Sequence, residues 1–333
     1  MLQLNNATPF AAMPMLFADA QGIDTMFAVV KGTFVIGDQL ALAEEQLPVT
    51  LVDVHRGDPA KTSIRTPSDV SLEKPGTDIV LIGSAWAPGG QPTWQTDVSI
   101  SVGPLSKTVR VFGDRVWRAA VGASSEWVAP FVQMPLVWER AFGGVDETAK
   151  GPVAEARNPV GVGFRRSNSE RPLDGLALPN VEDPRAPITS PSQAPAPAGF
   201  GPIAPHWQPR QSFAGTYDAQ WMAERAPYLP SDFDARFCQI APVGLATAGH
   251  LQGGEAVALR GVTPDGLLQF TLPRLGVEVN YVVDSGEERR PALLDTVILE
   301  PDERRVLLVW RASLQCDKRA LKVKEIRPTL HPG

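Results

Sequence analysis

Between Gly151 and Pro230 a proline falls every few residues, among them Pro159, Pro172, Pro179, Pro184, Pro187, Pro191, Pro195, Pro197, Pro202, Pro205 and Pro209. Each proline fixes φ and removes a backbone donor, so neither a long helix nor a central strand can run through such a stretch. Glycine adds to the effect: the 333-residue chain holds 32 Pro and 29 Gly, well above roughly 12% in average usage. Coiled coils, helical bundles and collagen-like repeats are excluded. What remains is a fold of short elements joined by turns. Hydrophobic residues make up 43% of the chain and charged residues 20%, which is enough for a sizeable core.

Both ends of the chain carry strand patterns. Thr25 to Ile36 is rich in Phe, Val and Thr, and Gly37-Asp38 turns it into Gln39 to Ala43. Asp78 to Gly83 is a short buried-strand run. Val98, Ile100 and Val102 alternate with serines, Gly103-Pro104 breaks the pattern, and Thr108 to Phe112 alternates again as a hairpin partner. Beyond residue 250, Glu255 to Arg260 and Leu267 to Leu272 flank the turn Thr263-Pro264-Asp265-Gly266, and Val277 to Val283 follows. Leu293 to Leu299 and Val306 to Leu314 flank Pro301-Asp302-Glu303-Arg304. In the last of these, Val306, Leu308, Trp310, Ala312 and Leu314 share one face. Turns about every 8–12 residues predict an antiparallel sandwich or barrel-like sheet.

The middle differs. Phe131, Met134, Val137/Trp138 and Ala141 fit one helical face, confined by Pro135 to a short or kinked helix within 130–142. From Gly151 to Pro230 an unstructured linker is one reading. Phe164, Phe200, Trp207, Phe213, Tyr217, Trp221 and Tyr228 argue instead for an ordered irregular layer, because disordered tracts are poor in aromatics. Thr216 is the expected N-cap of a short helix ending before Pro227. The fold expected is mainly β, with a long Pro/Gly/aromatic-rich irregular middle layer and a few short helices. Its parts are a β-rich segment 1–128, the irregular layer 129–240, a β-meander 241–318 and a tail 319–333, either as separate units or as one compact body.

The net charge of −6 argues against a duplex-binding face. Arg110, Arg115 and Arg118 alternate with acids and apolar residues, so most of them are expected on the solvated side of a strand rather than on nucleic acid. Cys238 and Cys316 make no disulfide framework and no zinc ligand set, and Cys238 is expected as a small core residue. No basic, apolar leader opens the sequence and no run of about 18 apolar residues occurs, so a cytoplasmic location without a membrane span is expected. The phosphate-loop, dinucleotide and nucleophile-elbow motifs are missing, and no cofactor or metal site is expected. Glu182-Asp183, Asp232 with Asp234, and Asp218 with Glu224 could act as acid pairs on a glycosidic bond beside Trp207 and Trp221 as sugar platforms. The preferred reading is that these acids cap turns and bind loop amides, Ser231-Asp232-Phe233-Asp234 having capping-box spacing.

An ordered series of motifs adds to this. It runs through Gly83-Ser84-Ala85-Trp86-Ala87-Pro88-Gly89-Gly90, Val102-Gly103-Pro104-Leu105, Val111-Phe112-Gly113-Asp114-Arg115 and Met134-Pro135-Leu136-Val137-Trp138-Glu139-Arg140-Ala141-Phe142-Gly143-Gly144. It continues through Asn158-Pro159-Val160-Gly161-Val162-Gly163-Phe164, Leu178-Pro179-Asn180-Val181-Glu182-Asp183-Pro184 and Pro197-Ala198-Gly199-Phe200-Gly201-Pro202. Ala214-Gly215-Thr216-Tyr217-Asp218, Leu229-Pro230-Ser231-Asp232-Phe233-Asp234 and Leu294-Asp295-Thr296-Val297 complete it. The series resembles the bacterial family of domain of unknown function 2169 over nearly the whole chain, with conservative departures at Trp86 and Trp138. The resemblance implies a non-enzymatic adaptor or chaperone of type VI secretion. Such a protein binds a PAAR-domain spike-tip or effector protein, and with it VgrG, and loads the cargo onto the spike. The alternative function is a carbohydrate-binding or carbohydrate-active β protein. Candidate cargo-binding residues are Glu139, Arg140, Asn158, Phe164, Asn180, Glu182, Trp207, Arg210, Asp218, Trp221, Asp232 and Asp234. For Asn158, Asn180 and Asp232 turn chemistry points first to locking of loops within the chain.

Overall fold

The structure, a computed structural model, describes residues 2–120, 123–148, 150–317 and 320–332. Its main strands, in chain order, are β1 (Ala11–Ala18), β2 (Asp24–Ile36), β3 (Asp78–Leu81), β4 (Gln95–Val102), β5 (Leu105–Phe112), β6 (Ala256–Arg260), β7 (Leu267–Thr271), β8 (Leu275–Val283), β9 (Gly286–Pro291), β10 (Leu293–Glu300), β11 (Arg305–Gln315) and β12 (Val323–Pro332). The six-stranded sheet runs β1-β2-β11-β10-β3, with Leu40–Leu42 beside β2. A five-stranded sheet runs from Val181–Glu182 through β5, β4 and β6 to β7, and a four-stranded sheet joins Gln3–Leu4, β12, β8 and β9. Most pairs are antiparallel, and none of these sheets closes into a barrel. Strands from the two ends of the sequence are therefore joined in one sheet, since β2 and β11 pair along their length.

The core follows from the alternation that the sequence shows. Val306, Leu308, Trp310, Ala312 and Leu314 of β11 point to one face with Ala28, Val30 and Phe34 of β2, and join one apolar cluster with residues of all three sheets. On the opposite face Phe27, Val29 and Val309 pack with Met15 in a second, smaller cluster. That face also buries charge. Lys31 Nζ pairs with Asp69 Oδ2 at 2.8 Å and donates to Thr50 Oγ1. Arg311 Nε pairs with Asp295 Oδ2 at 2.7 Å, and its other nitrogens donate to the Asp69 and Ser71 carbonyls. Lys74 Nζ pairs with Asp78 Oδ2 at 2.8 Å and donates to Thr296 Oγ1 at 2.7 Å. A buried cation left unpaired would cost several kcal/mol. The effect is to strap residues 69–74, which have no regular structure of their own, onto the sheet.

Several elements differ from the sequence expectation. The segment 130–142 holds a short strand, Gln133–Pro135, and a single 3-10 turn, Trp138–Arg140, instead of one helix. The Met134 and Trp138 side chains are buried, but in different clusters, which is how one helical spacing arose without a helix. The α-helix among the described residues is Ala219–Glu224, and its cap is Asp218 rather than Thr216. Residues 323–332, left as tail by the sequence, form β12. Arg115 is 2% exposed and not on a solvated face. No helix is long and apolar enough to cross a membrane among the described residues.

Candidate functional site

The middle layer is irregular but densely hydrogen-bonded, the buried Asn158 Oδ1 being an exception without a partner, and its polar candidates lie at two places. The first is the 3-10 turn Trp138–Arg140. Glu139 accepts from the Ser63 backbone N–H at 2.7 Å and from its hydroxyl at 2.8 Å. Arg140 Nη1 donates to Asp114 Oδ1 at 2.7 Å and to Asn180 Oδ1 at 3.0 Å. Asn180 Nδ2 in turn donates to Gly113 O at 2.9 Å and to Asp114 Oδ1 at 3.1 Å. Asn158, fully buried, donates to the carbonyls of Trp138 at 2.8 Å and Phe142 at 3.0 Å. Two glycines make room for it. A Cβ on Gly161 would lie 2.4 Å from Asn158 Nδ2, and one on Gly143 would lie 2.1 Å from the Asn158 carbonyl.

Around this hub the aromatic and acidic candidates are also internal. Trp207 is 1% exposed, stands edge-on to Trp138 at 6.2 Å and donates Nε1–H to His206 Nε2. Phe164 stands edge-on to Phe142 at 6.2 Å. Buried Glu182 forms an ion pair with Arg115 Nη2, and Arg115 lies over the Phe112 ring at 3.8 Å. Burial pushes the Glu182 carboxyl above its ordinary value, and Arg115 offsets only part of this. These side chains spend their polar atoms on neighbouring loops, which supplies the backbone partners that a ladder would otherwise provide.

The second group holds the segment 210–238 against the hairpin between β1 and β2. Asp218 Oδ1 accepts from the Trp221 N–H at 2.8 Å, and Trp221 Nε1 donates to Tyr228 O at 2.9 Å. Asp232 accepts from the Thr216 N–H at 2.9 Å and its hydroxyl at 2.8 Å. Asp234 caps the 3-10 turn Ala235–Cys238 through the Arg236 N–H, a turn-capping role of the kind expected for these acids. Arg210 donates Nε–H to Phe237 O and Nη1–H to Ile203 O, each at 2.7 Å, and burial holds its guanidinium below the ordinary value. The Tyr228 ring sits on Gly22, whose φ of +85° is open to glycine; a Cβ there would lie 3.1 Å from Tyr228 Cγ.

What this second group builds is a groove. It is apolar, about 480 Å³ in volume, and walled by Phe17 of β1, Val70 and Leu72 of the strapped segment, and Tyr228, Phe233 and Phe237. Arg210 and Cys238 line its floor, and burial pushes the Cys238 thiol above its ordinary value, as expected for an inert core cysteine. At Asp19, Leu72 and Phe233 the groove meets a second cleft of about 630 Å³, which Glu73, Glu288, Arg290 and Gln315 also line. Of the candidates chosen from sequence, only Arg210 lines the groove itself, while Asp218, Trp221, Asp232 and Asp234 brace its wall. Phe17, Val70 and Leu72 were missed. Met13, Met15 and Phe17 do alternate, but Pro14 among them argues against a strand, and nothing local marks Val70 or Leu72.

A family model described as an uncharacterized protein conserved in bacteria (DUF2169) matches residues 21–311. No curated protein and no solved structure matches.

Proposed function

The chain belongs to the DUF2169 family, and from that premise we propose that it is an adaptor that binds another protein rather than an enzyme. In the specific form that the motif resemblance suggests, it acts in the bacterial cytoplasm as a type VI secretion adaptor or chaperone. It holds a PAAR-type spike-tip or effector protein and promotes its loading onto VgrG. The observation that carries this reading is the apolar groove between β1, the strapped segment 69–74 and the braced segment 210–238. Its walls are fixed by buried ion pairs and capped turns, so little ordering is needed when a partner enters. Open apolar surface that includes a large, half-exposed residue such as Tyr228 is the usual mark of a protein-binding face. Co-expression with the spike-tip or effector protein encoded beside this chain tests the proposal. A co-purifying complex and a rise in cargo solubility are expected. Equal solubility and secretion of the cargo without this chain would overturn it.

A further inference from the structure

The edges of the sheets are treated differently. β9 is an edge strand with the sequence Gly-Glu-Glu-Arg-Arg-Pro, every residue exposed, and such charge blocks the addition of another strand. β3, at one edge of the six-stranded sheet, is covered, because Ile79 and Leu81 donate to the carbonyls of Leu245 and Phe200. β1, at the opposite edge, is Ala-Ala-Met-Pro-Met-Leu-Phe-Ala, without a charge. Among the described residues its backbone pairs with β2 on one side only. β7 is an uncharged edge too, but it is β1 that runs directly into the groove, through Phe17, Ala18 and Asp19. Pro14 removes a donor mid-strand, which leaves Met15 to Ala18 as the stretch open to pairing, and Leu16 there is 48% exposed.

The polar end of the site adds charge. Asp19 accepts from the Gln21 and Ile23 N–H groups and from Gln315 Nε2, and Glu73 accepts from the Ser313 hydroxyl. All of these donors are neutral. Among the described residues neither acid forms an ion pair, and Glu288 beside them is matched by Arg290. An uncovered apolar groove that ends in two uncompensated carboxylates complements an apolar segment ending in a cation.

We propose that the partner is captured as an extended segment that adds as a strand to Met15–Ala18, lays alternate apolar side chains into the groove, and places a Lys or Arg against Asp19 and Glu73. Main-chain hydrogen bonds give the affinity and the alternate pockets give the selectivity. This rests on the adaptor reading above and goes further by naming the recognised element.

The test uses the intact chain with two probes, the whole protein encoded beside it and overlapping labelled peptides that tile that protein. An apolar peptide bearing a basic residue is expected to bind. N-methylation of its alternate backbone amides should weaken it by about tenfold or more, as should Leu16→Lys, which adds a guard charge at an exposed position. Glu73→Gln should weaken the same peptide about threefold, the scale of an exposed ion pair, and the difference should vanish in high salt. If the whole partner binds but no peptide does, or N-methylation has no effect, strand capture is wrong while the adaptor reading stands. If neither probe binds, both fall. If instead the chain dimerises and Leu16→Lys makes it monomeric, the edge is occupied by a second copy and the inference is overturned.

Discussion

Arg140 donates to Asn180 across a 3.0 Å hydrogen bond, and through it the Trp138–Arg140 turn is tied to the loop that leads into the edge strand Val181–Glu182. Both residues belong to the motif series, and both are used inside the chain. Asn180→Ala would leave the Arg140 guanidinium and the Gly113 carbonyl short of a partner. A cost of about 2–3 kcal/mol in urea unfolding is expected, with binding by the folded fraction unchanged. A neutral effect on stability together with loss of binding would place Asn180 at the partner surface instead.

Glu182 and Arg115 are both buried and pair directly. Glu182→Ala leaves a buried cation and should cost about 3–5 kcal/mol. Arg115→Met combined with Glu182→Leu should recover most of that loss, because Glu126, the other partner of Arg115, is partly solvated. A double variant as unstable as the single one would show that the pair itself, and not the desolvated charge, matters.

How much of this was open to sequence reading depends on range. The hairpin of β4 and β5 and that of β6 and β7 declare themselves, since apolar alternation and a glycine turn lie within a few residues. Asp218 and Asp234 were legible as turn acids for the same reason, because their amides lie three and two residues away, whereas Asp232 reaches back sixteen residues to Thr216. The groove was not legible. Phe17, Leu72 and Phe233 are brought together by a fold in which β2 pairs with β11, nearly three hundred residues later, and no local pattern encodes that meeting. The strap was hidden for the same reason. Lys74 and Arg311 look like ordinary surface cations until Thr296 and Asp295 are placed beside them.

Two strand carboxylates beside the strap have opposite pH behaviour. Burial pushes the Asp295 carboxyl up, but the charges of Arg311 and Lys74 and the bonds from Thr296 and Arg311 more than offset it, so it lies below the ordinary 3.8. Its stabilisation is present above that value and is lost as pH falls through the lower folded one. Asp78 is raised above 3.8, chiefly by burial, against the pull of Lys74. Its contribution is present below 3.8 and is lost as pH rises through the higher folded value. Urea midpoints across pH should therefore show Asp295→Asn removing part of the acid-side loss and Asp78→Asn removing part of the slope above it. Variant curves parallel to the unmutated protein would contradict both assignments.

Tyr228 is 45% exposed at the rim of the groove, so Tyr228→Glu puts a charge into the apolar surface without emptying the core. The decisive measurement is the affinity of the intact chain for a spike-tip or effector protein of the kind proposed above, compared with that of Tyr228→Glu at matched thermal stability. A complex with the unmutated chain and a loss of about tenfold or more in the variant is expected, the scale of a central interface contact. Absence of a complex, or equal affinity of the two proteins, would contradict the groove as the partner-binding site.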